Sequence, residues 1–479
     1  MRKRIRLFRP GAAAAVSLAM TVLGTLCASA VPHHGNLSQQ PVSPSLRCSI
    51  ADGFTLAAVG DIIMANPESA NADPGFQAQL KILRGADAAF GNFEDTAIDI
   101  RHFRGSPQAE NGGAWPVASP LVPGDLKKMG FSMVNRANNH ATDWGVRGMA
   151  ETDHLLDQAG IVHAGTGDNM ATARAPQYLE TPEGRVALVG MASTFTPMSV
   201  AADPAGMIPG RGGVDALRTT RSVLVTRDIM QSLVKLHSLL PLPPEGPVSG
   251  TPHRLSLLGT RFELSDHVRL RYEMNQADLT DILRNIREGK ESSDFLIATI
   301  HCHESGQRLA DPPKFLVKLA HGAIDNGADA FISQGPHLLR GIEIYRGKPI
   351  FYSLGDYFFE LHEQQVILPS VYAAFHFDPR AVTPAELESL RISRLLGRPG
   401  FWISVIAVST FRRGQASEIR LYPIDLGRHR RPSQSGVPRL ASADAARSIL
   451  EQLSLESESF GTDIRIEGNV GIIRVPPLQ

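Results

Sequence analysis

Cysteine is scarce in this chain of 479 residues, which carries only Cys27, Cys48 and Cys302. So few thiols exclude a disulfide framework and a thiolate zinc cluster. A single Cys48–Cys302 bridge is the arrangement left open for an oxidising compartment. Net charge is missing too: Lys plus Arg and Asp plus Glu stand at 48 each. No global field therefore favours nucleic acid or an anionic membrane surface, and a polyanion would need a local patch. There is no GxGxxG or P-loop motif, so a nucleotide-binding domain has no support, and no internal repeat. The apolar stretch at 11–26 is shorter than the roughly 20 residues that span a bilayer. What is present is a 43% apolar fraction, enough to bury a substantial core in one large domain or two ordinary ones.

Arg2, Lys3, Arg4, Arg6 and Arg9 precede that apolar stretch, and Ala28-Ser29-Ala30 follows it. The order is that of a secretory signal over residues 1–30, cleaved after Ala30, which places the mature protein in the periplasm or cell envelope. The alternative is an uncleaved anchor, which keeps membrane association open. Leu26, bulky and directly before Cys27, argues against a lipoprotein. Residues 31–49 are rich in Pro, Ser, Gln and Asn and read as a flexible leader to a folded region over 50–475.

Short β-branched apolar runs alternate with helical spacing through that region, the signature of an α/β fold. Buried strands are expected at 54–59, 86–90, 131–134, 186–191, 295–300 and 330–332, with helices at 77–83, 146–158, 276–287 and 314–326. Beyond Ser333 the pattern turns to strands with few helices between them, at 341–345, 349–353, 401–409 and 417–422. An insertion near 198–260 begins loop-like, reads as a helix over 214–236 and ends in a Pro/Gly-rich stretch. A C-terminal extension after about residue 425 carries a helix at 441–455 and a last strand.

The chemistry lies at the ends of these strands, the usual seat of function in open α/β sheets. The first delivers Gly60-Asp61, the second Gly91-Asn92-Phe93-Glu94-Asp95, the third Asn135-Arg136-Ala137-Asn138-Asn139-His140 with Asp143 just beyond. The strand at 295–300 delivers His301-Cys302-His303-Glu304, and the one at 330–332 leads to Gln334-Gly335-Pro336-His337. His301 and His303, two apart, point to one face if the strand continues. Carboxylate, amide oxygen and imidazole together suit Mn, Fe or Zn better than calcium. Each piece has a plainer reading: Gly60-Asp61 as a turn, the Asn pair as a helix cap, the histidines as satisfied core groups.

Ala58-Val59-Gly60-Asp61, Gly91-Asn92-Phe93-Glu94, Ala137-Asn138-Asn139-His140-Ala141-Thr142-Asp143-Trp144-Gly145, and Gly335-Pro336-His337 through Ile350-Phe351-Tyr352-Ser353-Leu354-Gly355-Asp356 resemble the CapA-type capsule and poly-γ-glutamate synthesis proteins. Those proteins are similar to the calcineurin-like metallophosphoesterases. The resemblance implies a four-layer α/β/β/α sandwich and a centre of one or two divalent ions. It implies Asp61, Glu94, Asn139, His301 and His337 as ligands, with His303 a further one, and His140 with Asp61 as the catalytic pair. Asn92, Asn138, Asp143 and Asp356 would support them. The chain departs from the phosphoesterase pattern at Ile63, where a histidine is usual, at Glu94 in place of aspartate, and at Gln334-Gly335, where many members have a histidine.

Two functions follow from the resemblance. One is hydrolysis of a phosphoester or amide by metal-activated water. The other is a non-catalytic accessory that binds a surface polymer during synthesis or export. Either way the partner is an anionic surface polymer or its machinery, not nucleic acid. Arg428, Arg430 and Arg431 form the compact basic group outside the signal, either a contact for a polyanion or a solvated loop.

Overall fold

The run Thr55–Ile63 is apolar on both sides of the pleat and buried from Leu56 onward, as a parallel strand covered on both faces must be. The same holds for Ala88–Phe93, Phe295–His301 and Ala330–Gln334. In the computed structural model, which describes residues 48–108, 115–241, 253–364 and 366–477, these runs fall into two large sheets. The ten-stranded sheet places Thr55–Ile63 beside Ala88–Phe93, then Met133–Asn135 and Val162–Ala164, all parallel. On the other side of Thr55–Ile63 come Ile403–Arg412 and Gln415–Asp425, antiparallel, with Asp356–Phe359 paired to its end. The six-stranded sheet centres on Phe295–His301 between Gly184–Ala192 and Ala330–Gln334, also parallel. The fold is mixed α/β. The signal, most of the leader, and residues 109–114 and 242–252 lie outside the described residues.

Apolar residues divide according to the pleat. Leu56, Ala58 and Phe90 of the first sheet share one core with Leu188, Ile297 and Ile332 of the second. Their neighbours Ala57, Val59 and Ala89 face helices instead, packing with Phe76 of Pro74–Arg84, Leu126 of Val122–Met129 and Leu156 of Gly145–Ala159. On the second sheet Val189, Leu296 and Ala298 pack with Ile282 of Gln276–Glu291 and Leu319 of Lys314–Asp325. The period of two thus gives every central strand two buried faces. Helix starts are marked chemically, as where Asp73 Oδ1 accepts from the Phe76 amide at 2.9 Å.

Three expectations need correction. Residues 214–236 are not one helix: Thr219–Val225 is a strand between Thr260–Leu264 and Arg269–Met274, and the helix Arg227–Leu239 begins after it. Thr-Thr-Arg-Ser-Val-Leu-Val is β-branched, and its cross-strand partners override the helical spacing. The inserted four-stranded sheet, Arg254–Leu257 among its strands, runs on to Met274, past the expected limit. The part after Ser333 is richer in helix than expected, holding Pro369–Ala374 and Pro384–Leu395 between Asp356–Phe359 and Ile403–Arg412. Thr383 and Glu386 form a capping box there, a start signal the strand-rich reading passed over. Cys48 and Cys302 are both free, the first exposed and the second buried. Among the described residues no helix is long and apolar enough to cross a membrane.

One glycine fixes the frame of the site. A Cβ on Gly60 would stand 1.7 Å from the Gly355 carbonyl oxygen, the same oxygen that accepts from the Asp61 amide at 3.2 Å. Gly60→Ala is expected to cost more than about 4 kcal/mol, read as loss of soluble protein or of the cooperative urea transition. A normal transition would show that the two strands separate easily.

Candidate metal centre

Asp61, Asn92 and Asn135 stand in register across three parallel strands. Their side chains form a ladder: Asn135 Nδ2 donates to Asn92 Oδ1 at 2.9 Å, and Asn92 Nδ2 to Asp61 Oδ1 at 2.7 Å. The other oxygen of Asp61 accepts from the Gly335 amide at 2.9 Å, tying the first sheet to the turn after Ala330–Gln334. Asp61 is thereby held rigid at the carboxyl edge of both sheets.

Past Asn92 the chain turns through Glu94. Arg136, buried, grips the carbonyls on either side, Phe93 O at 2.7 Å and Asp95 O at 2.9 Å. Asn138 Nδ2 also donates to Phe93 O at 2.9 Å and its Oδ1 accepts from the His140 amide at 3.1 Å. Glu94 so presented is fully buried, and neither carboxylate oxygen has a hydrogen-bond partner. The nearest imidazole nitrogens are His301 Nε2 at 3.3 Å and His140 Nε2 at 4.0 Å from Oε1. An unsatisfied buried carboxylate is costly.

The second sheet supplies the imidazoles. His301 ends its strand with Nε2 3.0 Å from His303 Nε2. Its Nδ1 lies 3.1 Å from Asn92 Nδ2 and 3.7 Å from Asp61 Oδ1. A neutral ring taking a cation at Nε2 would carry its one proton on Nδ1, on the side of Asn92 and Asp61. His303 Nε2 is 3.3 Å from Asn139 Oδ1. His337, at φ 55°, puts Nδ1 2.7 Å from Asp356 Oδ1 and 3.7 Å from Asp61 Oδ2. The Asp356 bond leaves Nε2 as its free ring nitrogen, the carboxylate–histidine arrangement that fixes a ligating ring. His140 is held likewise, Nδ1 to Asp143 Oδ2 at 2.6 Å.

The electrostatics are those of a site with an excess of buried negative charge. Burial, then the nearby Glu94 charge, pushes Asp61 well above the usual carboxylate range. Burial would raise Glu94 as well, but His301 foremost and then His337 and His140 outweigh it and hold Glu94 low. Burial would lower His337, yet Asp356, Glu94 and Asp61 lift it to about 10. For His140, burial is outweighed by Asp143, and the ring stays above its ordinary value. His303 is pushed well below its own by burial and by His301 and His337.

Ligand atoms of Glu94, His301 and His303 all lie within 4.8 Å of one another, and so do those of Asp61, Glu94 and His337. Glu94 belongs to both groups. The donor set therefore fits one divalent ion or two sharing Glu94, with imidazole and carboxylate together favouring a transition metal.

The structure brings Asp61, Asn92, Glu94, Asn138, Asn139, His140, Asp143, His301, His303, His337 and Asp356 into one continuous network. His303, a secondary expectation, stands as centrally as His301. Asp356 and Asp143 hold histidine rings. Ile63 and Gln334 stand where histidines are usual: Ile63 is buried and Gln334 Nε2 is turned to Thr299 Oγ1 at 2.7 Å. Sequence reasoning assigned no role to several positioning residues, among them Glu304 at the end of the 295–300 strand. Glu304 Oε2 accepts from Ser193 Oγ and Thr194 Oγ1, both at 2.9 Å, and Thr194 Oγ1 accepts from the His303 amide at 2.9 Å. Arg340 Nη2 donates to Glu304 O at 2.9 Å. Ser193 and Thr194 follow the end of the 186–191 strand, so the strand-end rule that found the others would have found them. Arg430 and Arg431 are exposed, with Arg430 Nη1 3.8 Å from Asp73 Oδ2.

A mixed α/β protein with a buried histidine–carboxylate centre is thus the class that fold and site define. The chain belongs to the family described as bacterial capsule synthesis protein PGA_cap, whose model matches residues 55–361. It is 46% identical over 450 residues to the uncharacterized protein y4sH of Sinorhizobium fredii, covering 92% of this chain and 97% of that protein. It is 26% identical to the PGA biosynthesis protein CapA of Bacillus subtilis, over 66% of each chain. A probable polyglutamine synthesis accessory protein of Mycobacterium tuberculosis is 28% identical, over 46% of this chain and 43% of that one.

Proposed function

We propose that this is an exported, CapA-like protein of capsule or poly-γ-glutamate-type polymer synthesis or export, with a metal-dependent, phosphoesterase-like hydrolytic centre. The observation that carries the metal reading is the fully buried Glu94, both oxygens unpartnered, between His301, His303, His337 and Asp61. A four-layer α/β/β/α arrangement agrees with the division of the apolar core among two sheets and two sets of helices.

Asp61, Glu94, Asn139, His301, His303 and His337 would hold one or two ions of Mn, Fe or Zn. Such an ion supplies Lewis acidity to a phosphoryl or carbonyl oxygen. His140, kept basic by Asp143 and bordering the cavity over the centre, carries the proton a leaving group needs. Asp356 orients His337, and the Asn135–Asn92 ladder orients Asp61. The second reading, a polymer-binding accessory without turnover, is favoured by Ile63 and Gln334, which leave fewer imidazoles for a tight two-ion site.

The test is metal analysis of purified protein beside an Asp61→Ala/His301→Ala variant, with phosphoester and γ-glutamyl amide hydrolysis assays on both. The hydrolytic reading expects a stoichiometric transition metal and turnover in wild type, and neither in the variant. Metal without turnover selects the accessory; no metal in wild type removes the centre. Export is tested by cell fractionation and by the N-terminal sequence of the mature chain, expected to begin after Ala30.

A further inference from the structure

Between Ala202 and Arg211 the chain folds back on itself. These two residues exchange both backbone bonds, at 2.9 and 2.8 Å, and Ala205 and Ile208 exchange theirs at 3.0 Å each. The two pairs share one register, so 202–211 is an antiparallel hairpin closed by Gly206-Met207. Gly206 stands at φ 58°, as the first position of a type II′ loop requires. The base is fastened to the body of the protein. Arg211 Nη2 donates to Val200 O at 2.6 Å, Asp203 Oδ1 accepts from the Ala171 amide at 2.9 Å, and Thr142 Oγ1 donates to Ser199 Oγ at 2.6 Å.

Pro204-Ala205-Gly206-Met207-Ile208-Pro209 at the tip are six consecutive exposed residues without a polar side chain. Met207 is fully exposed and Ile208 70% exposed. The backbone is nearly as apolar as the side chains. Two of the six are prolines, which have no N–H, and Ala205 and Ile208 spend theirs on each other. That leaves two amides, those of Gly206 and Met207 at the turn. Water does not require such economy of a loop, whereas in hydrocarbon every peptide group without a partner is costly. A second protein is the poorer fit, because a stable interface takes about 20–30 residues a side and the tip offers six. Asp203 and Arg211 below it are opposite in sign, so no net charge draws the tip to an acidic or a basic partner.

We propose that the 202–211 hairpin is a bilayer-contacting prong, whose Met207 and Ile208, flanked by Pro204 and Pro209, enter the boundary between lipid headgroups and acyl chains. The contact is shallow and reversible. Two large apolar side chains supply less than the single acyl chain that by itself holds a protein only marginally to a membrane. The prong therefore orients the chain at a surface rather than anchoring it there. Its base bonds through Ser199 to Thr142, next to the Asp143 that holds His140, so the His140 side of the centre is tied to the prong. The inference depends neither on a bound ion nor on turnover.

The test places an indole on the tip of the full-length protein as Met207→Trp; the chain's own Trp115, Trp144 and Trp402 are buried. Vesicles are made of phosphatidylcholine alone and of phosphatidylcholine mixed with phosphatidylglycerol, both with brominated acyl chains. On adding either, the extra emission should shift to the blue and be quenched. Ile208→Asp in the same background should raise the lipid concentration at half-quenching by at least about tenfold. Leu455→Trp, at another exposed site, on the helix Ala443–Ser457, should show neither change. The readout is local to the indole, so the apolar stretch at 11–26 does not produce it even where that stretch holds the chain to a vesicle. No quenching at position 207, equal quenching at position 455, or quenching that Ile208→Asp leaves unchanged overturns the proposal. Quenching confined to the phosphatidylglycerol mixture overturns it too, because the tip has no cation to answer an anionic headgroup. So does a blue shift that grows with protein concentration before vesicles are added, which assigns the tip to a second copy of the chain. Should Ile208→Asp fail to fold, the indoles at 207 and 455 decide between the same outcomes.

Discussion

Glu94→Gln is expected to lower transition-metal affinity by at least about 100-fold, more than removal of any supporting residue, for which 10–100-fold is usual. Glu94 is the one residue common to both ligand groups, so its neutralisation strikes either ion. The metal-free protein supplies an independent readout. Glu94 is held below the ordinary carboxylate range by the imidazoles. Its charge therefore contributes stability above the unfolded value of about 4.3, and that contribution is lost as pH falls. His337 runs the other way: raised to about 10, it contributes stability that is full below its unfolded value of about 6.5 and is lost as pH rises towards 10. Melting temperatures of the chelated wild type should fall between pH 7 and 10. In Glu94→Gln that fall should shrink, because one of the charges holding His337 protonated is gone. Metal analysis and a pH series of melts check both parts; wild-type metal content in the variant would remove Glu94 from the centre.

Much of this centre was legible because of where its residues sit. A parallel strand buried on both faces must be continuously apolar, so the first polar residue after such a run, Asp61, Asn92 or His301, marks the strand's carboxyl edge without knowledge of the fold. That rule reaches Asn135 too and passes through Arg136 and Glu304, but it does not give Arg136, Glu304 or Arg340 their roles. Their roles come from partners distant in sequence: Arg136 matters because the carbonyls of Phe93 and Asp95 converge on it. Nothing local distinguishes it from a surface arginine. The inserted strand Thr219–Val225 was misread for the opposite reason, since its local spacing allowed a helix and only pairing with Thr260–Leu264 and Arg269–Met274 decides the matter. The helices walling the cavity over the centre had a visible start at Thr383-Pro384-Ala385-Glu386, outweighed by strands on either side. Their link to the site runs through tertiary packing, which periodicity does not encode.

Arg174→Met is expected to destabilise the fold by about 3–5 kcal/mol, the usual cost of stripping one partner from a buried ion pair. Arg174 reaches Asp215 Oδ1 at 2.8 Å, Asp281 Oδ2 at 2.8 Å and Asp278 Oδ1 at 3.0 Å. Asp278 keeps Arg218 and Asp281 is half in solvent, so Asp215, fully buried with Oδ2 unpartnered, bears the loss. Even beside Arg174, burial holds Asp215 up at about 6. Without the guanidinium it moves higher, and a raised carboxyl contributes stability at low pH that is lost as pH rises through its folded value. The defect should therefore be larger at pH 8 than at pH 5, read from urea transitions at both. It should also reach the centre. The Asp215 carbonyl accepts from Ala192 N at 2.9 Å, and the next two residues, Ser193 and Thr194, fix Glu304 and the His303 amide. A loosened Asp215 frees that arm, with metal affinity expected to drop by roughly tenfold, the lower end for a supporting residue. Arg174→Met/Asp215→Asn removes the stranded charge and should recover most of the stability, since replacing both partners of a buried pair is far less costly than removing one. Equal defects in the single and double variants would show that Arg174 acts through its packing and not through Asp215.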